Sequence, residues 1–94
     1  MSSPITQNLT GLLNYQEGAV VSRTLVKNAG GTITLFAFDT GEGLSEHTAP
    51  FDAWVYGVEG EADITLEGQA QRVRAVTPFK MLLVMIRAEV RGSE

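Results

Sequence analysis

Residues 41–60 read Gly-Glu-Gly-Leu-Ser-Glu-His-Thr-Ala-Pro-Phe-Asp-Ala-Trp-Val-Tyr-Gly-Val-Glu-Gly. The first part is rich in glycine and polar residues, which predicts a loop over residues 40–50. The second part predicts a strand over residues 51–58 that ends at a Glu-Gly turn signal. Along this strand the two faces alternate, with Phe51, Ala53 and Val55 on one and Asp52, Trp54 and Tyr56 on the other.

Three residues of this stretch, Gly41, His47 and Gly60, have the spacing of the first conserved motif of the cupin family, which the stretch resembles. In that family the motif runs Gly, five residues, His, one residue, His, three or four residues, Glu, six residues and Gly. Its two His and its Glu hold a metal inside a small β-barrel. The second His position is Ala49 here, and the Glu position is Ala53. The resemblance therefore implies a cupin barrel without most of its metal ligands.

The remainder of the chain carries mostly strand signals. Ile5, Leu9, Leu12 and Leu13 predict a short helix within residues 5–15. Runs of β-branched and aromatic residues predict further strands over residues 19–27, 32–39, 62–66, 71–76 and 79–88. Turn residues predict hairpins at residues 28–31, 59–60 and 67–68. Six strands with regular turns favour a small all-β sandwich or barrel.

The resemblance narrows this choice to a jelly-roll-like, antiparallel cupin barrel in a single domain over residues 1–94. It extends over nearly the whole chain and includes residues 15–18, 35–38 and 79–83. The family's second motif, which carries a third inward His, has no counterpart between Arg74 and Phe79. The resemblance thus implies an incomplete or open barrel. We expect a second chain to cover the open edge by strand exchange or edge pairing, since an unpaired edge promotes aggregation.

Composition excludes several classes of function. Seven basic and eleven acidic residues give a net charge of -4, and nucleic-acid binding requires a basic cluster on one face. Arg72 and Arg74 are the dense basic feature, and we interpret them as a solvated sheet edge. The chain has no cysteine, and no apolar segment reaches the roughly 18 residues that span a bilayer. We therefore expect a cytoplasmic protein with no nucleic-acid or membrane partner.

The candidate ligand pocket follows from the inward positions of the barrel. His47 is the chain's single histidine, and without companion ligands it favours neither a metal site nor acid–base catalysis. We expect no cofactor, including a divalent metal at His47. The predicted pocket residues are His47, Phe51, Val55, Met81 and Met85.

The residues on both faces of the last strand are apolar, which predicts that the strand is covered on both faces. One face would meet the core, and the other a second copy of the chain. Trp54 and Tyr56 share the face opposite the inward positions of their strand, and aromatic residues are frequent in interfaces. The predicted interface of a homodimer is formed by Trp54, Tyr56, Leu82, Val84 and Ile86.

Three functional hypotheses remain open at the level of the sequence. The favoured one is a homodimeric, metal-poor cupin domain that binds a small molecule or has a purely structural role. The second is a metal-dependent cupin enzyme, of dioxygenase or isomerase type, whose other ligands belong to the missing segment. The third is a protein-interaction module that uses the face of Trp54 and Tyr56.

Overall fold

Seven antiparallel strands make up most of the computed structural model, which describes residues 9–47, 51–67 and 70–87. The strands are β1 (Val20–Asn28), β2 (Gly31–Phe38), β3 (Gly43–His47), β4 (Phe51–Glu59), β5 (Ala62–Glu67), β6 (Ala70–Ala75) and β7 (Phe79–Arg87). They form a four-stranded sheet in the order β1-β2-β7-β4 and a three-stranded sheet in the order β3-β6-β5. The all-β prediction is confirmed.

The first hairpin is confirmed as predicted. β1 and β2 pair antiparallel from Val20 opposite Phe38 to Asn28 opposite Gly31. The side-chain carbonyl of Asn28 accepts a hydrogen bond from the Gly30 amide at 2.7 Å, which closes the two-residue turn.

The core lies between the inner faces of the two sheets. Its buried members are Phe38, Val73, Ala75, Phe79, Met81 and Leu83. The rings of Phe38 and Phe79 lie 6.0 Å apart, so they join the two central strands β2 and β7 of the larger sheet. β6 shows the strand alternation clearly, because its core residues alternate with Arg72 and Arg74, which are exposed.

The outer face of the four-stranded sheet is partly covered by the segment that precedes β1. There the Lys80 ammonium is buried and donates a hydrogen bond to the Thr10 carbonyl. It also lies 4.7 Å from the centroid of the Tyr15 ring, as a cation–π contact. A guanidinium nitrogen of Arg23 donates to the Leu12 carbonyl at 3.3 Å. These contacts hold the N-terminal segment against the sheet.

The predicted N-terminal helix is much shorter in the structure. Within the described residues it is a single 3-10 turn, Leu9–Gly11, and residues 5–8 of the predicted helix lie outside them. Gly11 explains part of the difference, because glycine disfavours helix by about 1 kcal/mol relative to alanine.

The predicted loop over residues 40–50 was wrong for its middle part, which forms β3. This strand pairs with β6, from Gly43 opposite Arg74 to His47 opposite Ala70. The two backbones come so close that a Cβ on Gly43 would lie 2.5 Å from the Val73 carbonyl oxygen. The glycine that suggested a loop is therefore required by a close strand approach.

The hairpin predicted at residues 59–60 was also wrong. β4 pairs with β7, and β5 pairs with β6, so the turn carries the chain from one sheet to the other. Gly60 makes this crossing with a φ of 88°, in the left-handed region that favours glycine. The interpretation of Arg72 and Arg74 as edge residues was wrong as well, because β6 is the central strand of its sheet.

Candidate functional site

A cleft opens between the two sheets on the side of β4 and β5. Within the described residues each of these strands pairs on one side only, so both are edges. The cleft has a volume of about 520 Å³. Its lining includes the apolar side chains of Val55, Ile64 and Phe79, together with the exposed acidic residues Glu61 and Asp63. This volume lies within the range of small-molecule sites, about 300–1,000 Å³.

Inner-face residues of β5 are unusually accessible, both at this cleft and beyond it. Ile64 is paired with Val73 and shares its face, yet 43% of its surface is exposed. Leu66 is 69% exposed on the same face. A neighbouring element or a ligand would normally cover such side chains, so this side of the sandwich is left open by the part of the chain that the structure describes.

The predicted pocket residues are only partly brought together at the cleft. Val55 lines it, opposite Leu83 of β7. Met81 is fully buried in the core, and Met85 packs against the core beside Ala53. The side chains of His47 and Phe51 lie outside the described part of the chain, although their backbones belong to β3 and β4.

Sequence reasoning did not include the other lining residues, among them Gly57, Ala62, Ile64 and Phe79. The alternation of Ala62 and Ile64 along β5 was a usable signal, because it identifies their face as the apolar one. It does not show that β5 is an edge strand.

The described residues do not fit the metal that the cupin motif implies. Ala53 faces the interior, where it packs against the core beside Met85, so a methyl group occupies the position of the motif's carboxylate. Asp52 lies on the opposite face, paired with Ile86, and is exposed. Among residues 9–47, 51–67 and 70–87, no three His, Asp or Glu side chains lie together as a metal site requires.

The predicted interface residues share one surface, the outer face of the four-stranded sheet. Trp54 lies opposite Val84, and Tyr56 lies opposite Leu82. Trp54 is 67% and Tyr56 63% exposed, and Ile86 extends the same face. We call these five residues, Trp54, Tyr56, Leu82, Val84 and Ile86, the apolar face. Their adjacency follows from the register, and their role in an interface stays a prediction.

A polar cluster connects the N-terminal segment to the end of β4. The Tyr15 hydroxyl donates a hydrogen bond of 2.6 Å to a carboxylate oxygen of Glu59. Burial, this hydrogen bond and the charge of Glu59 all raise the pKa of the Tyr15 hydroxyl, so it stays protonated and can donate. The ring of Tyr15 also contacts Lys80, and the segment is thereby fixed to both β4 and β7.

Solved structures of similar architecture define the class of this protein. Over 93% of the chain it matches a cupin superfamily protein from Desulfitobacterium hafniense, with 94% of that chain covered, 23% identity and a TM-score of 0.80. An RmlC-like cupin protein from Desulfovibrio desulfuricans matches 89% of the chain and 97% of its own, with 19% identity and a TM-score of 0.73. The chain is therefore a cupin-fold protein.

A third match is more similar in sequence. It is the conserved SPY1581 protein of unknown function from Streptococcus pyogenes, with 30% identity, a TM-score of 0.78 and coverage of 96% of this chain and 93% of that one. The chain belongs to the same family as this streptococcal protein. No protein-family model and no curated protein matches the sequence.

The matches indicate no specific activity, because the streptococcal protein is itself of unknown function. As for membranes, none of the helical structure in the described residues is long and apolar enough to cross one. The cytoplasmic location expected from the sequence stays a prediction.

Proposed function

We propose that this protein is a metal-poor cupin domain that binds a small, mainly apolar molecule in the cleft between its sheets. The observation that carries the proposal is the exposure of Ile64 on an inner face, at 43%. Burial of exposed apolar surface is favourable by roughly 25 cal/mol per Å². An apolar ligand that enters beside Val55 and Phe79 would cover this surface, while the exposed carboxylate of Glu61 would orient its polar end.

Filling the cleft is expected to abolish binding. A Cβ on Gly57 would lie 3.8 Å from the Phe79 ring, an ordinary contact, so Gly57→Leu places a side chain in the cleft without a backbone clash. We expect the affinity for the neutral apolar dye Nile red, measured by fluorescence titration, to fall at least tenfold. Thr24→Leu is the matched control, because it adds the same side chain at an exposed position of β1.

Two results would contradict the proposal. Unchanged dye binding in Gly57→Leu, with the fold intact by circular dichroism, would show that the dye binds outside the cleft. Near-stoichiometric iron, manganese, nickel or zinc in protein purified without chelator would contradict the metal-poor assignment and favour the enzyme hypothesis.

We further propose that the domain assembles as a homodimer through the apolar face. Trp54 and Tyr56 are each more than 60% exposed on it, at 67% and 63%. Aromatic side chains bury roughly 150–250 Å² each and often dominate interface energetics. Two twisted β-sheets can pack face to face with their side chains interdigitated, so two copies of this face can meet about a two-fold axis. Such packing leaves the cleft between the two sheets of each copy accessible to a ligand.

Truncation of the central aromatic residue is expected to dissociate the dimer. Trp54→Ala should raise the dimer dissociation constant at least thirtyfold, a cost of about 2 kcal/mol that is typical of interface hot spots. The measurement is light scattering with analytical ultracentrifugation. Leu66→Ala is the control, because Leu66 is an exposed apolar residue of β5, which belongs to the other sheet. A wild-type protein that is a stable monomer at tens of micromolar would exclude the homodimer and favour a different protein as the partner of this face.

A further inference from the structure

A second depression lies on the outer face of the three-stranded sheet, remote from the cleft interior. It is a groove of about 440 Å³ that includes Arg72 and Arg74 of the central strand β6. A smaller depression of about 250 Å³ adjoins it, and Gly41, Asp63 and Arg74 line both. The two arginines therefore lie along one continuous groove, roughly 7 Å apart along the strand by its rise per residue.

The strand register places two hydroxyl groups beside Arg72. Ser45 of β3 and Thr65 of β5 are the direct cross-strand neighbours of Arg72, one on each side. All three side chains are exposed and lie on the same face of the sheet. A guanidinium flanked by two hydroxyls offers several hydrogen-bond donors to a single oxyanion.

The guanidinium groups of this groove are available for a ligand. Elsewhere in the described chain, Arg23 donates to the Leu12 carbonyl and Arg87 donates to the Ala29 carbonyl. Within the described residues, Arg72 and Arg74 have no such hydrogen-bond or ion-pair partner. Two unpaired arginines on adjacent same-face positions repel each other, and a bound anion would remove that repulsion.

An acidic side chain limits the positive charge of the groove. Asp63 is the cross-strand neighbour of Arg74 and is exposed on the same face. The opposite neighbour of Arg74 is Gly43, which contributes no side chain. The groove is therefore more favourable to an anion at Arg72 than at Arg74, and Asp63 opposes binding.

From this arrangement we propose that the groove binds a small molecule through a phosphate group, held by Arg72 and Arg74 with the hydroxyls of Ser45 and Thr65. Arginine presents a planar fork of donors that matches phosphate oxygens in pairs. A tetrahedral phosphate has enough oxygens for both arginines and a hydroxyl, whereas a carboxylate has two. A chain of net charge -4 repels anions in general, so this attraction is local to the groove.

The test is a titration with inorganic phosphate, phenyl phosphate and acetate at constant ionic strength, followed by ¹⁵N NMR of backbone amides and arginine Nε–H groups. We expect both phosphate ligands to shift the signals of β6, and to bind at least tenfold more tightly than acetate. Arg72→Gln should weaken phosphate binding at least tenfold, and Arg72→Lys nearly as much, because lysine keeps the charge and loses the fork. Asp63→Asn should strengthen it severalfold.

Lys27→Gln is the matched control, because it removes one positive charge from an exposed position on β1. If this variant weakens phosphate binding as much as Arg72→Gln, the effect is one of overall charge and the groove is not a site. Equal affinities for acetate and phosphate, or no shifts in β6 at tens of millimolar phosphate, would also overturn the proposal. None of these results depends on the cleft or the apolar face, so they are independent of the proposed function.

Discussion

Gly60→Ala is expected to destabilise the protein by about 3 kcal/mol, which is a large part of the 5–15 kcal/mol that stabilises a typical domain. Two effects add at this position. The φ of 88° costs an L-amino acid roughly 1–2 kcal/mol. In addition, a Cβ would lie 2.0 Å from the Pro78 carbonyl oxygen, so the connection between β6 and β7 must move. Forced displacements of this kind typically cost about 1–3 kcal/mol.

Gly41→Ala separates these two effects. Gly41 has nearly the same φ, 85°, but no atom lies within 4 Å of the position of its Cβ. It should therefore lose only the conformational part, roughly 1–2 kcal/mol. Urea denaturation followed by circular dichroism measures both variants. Equal losses for Gly60→Ala and Gly41→Ala would mean that the connection relaxes freely and that the crossing between sheets is not constrained by Pro78.

Phe38→Ala is expected to cost about 3–5 kcal/mol, the usual range for a phenylalanine removed from a core. Phe38 is fully buried, and its ring lies 5.8 Å from the ring of Phe36 and 6.0 Å from that of Phe79. β2 is rigidly paired on both sides, with β1 and β7, so little collapse into the cavity is possible. In a domain of this size the variant is expected to be largely unfolded at 37 °C.

Phe38→Leu is the control, because it keeps most of the apolar volume and should lose only about a third of that free energy. The midpoints of urea and thermal unfolding report both variants. A loss below about 1.5 kcal/mol for Phe38→Ala would contradict a tightly packed core and indicate that the sheets can approach each other.

Much of the fold could be predicted from local sequence patterns. The first hairpin was predicted because strand and turn signals adjoin each other at residues 28–31. The two faces of β4 and β7 were predicted because side chains alternate strictly along a strand, and so the five residues of the apolar face were identified together. These properties depend on residues near one another in the chain.

Other properties depend on pairing between distant residues. β3 was missed because its partner β6 lies about thirty residues away, and Gly43 resembles a loop residue until that partner is placed against it. The partner of β4 was misassigned for the same reason, because a Glu-Gly turn can close a hairpin or carry the chain to another sheet. The edge position assigned to Arg72 and Arg74 failed because strand order is not a local property.

Residues 41–60 combine properties that the sequence predicts with properties that only the tertiary structure reveals. Their spacing identified the cupin barrel, and Ala53 already implied that the motif's carboxylate is missing. The packed structure added that Ala53 lies against the core, that β4 and β5 leave a cleft between them, and that two arginines share an exposed groove. Alternation along a strand is set by backbone geometry and is readable in the sequence. The cleft arises where two sheets meet, and the groove lies across three strands, including the paired strands β3 and β6, which are distant in the chain. The positions of both follow from long-range contacts that no short stretch of sequence encodes.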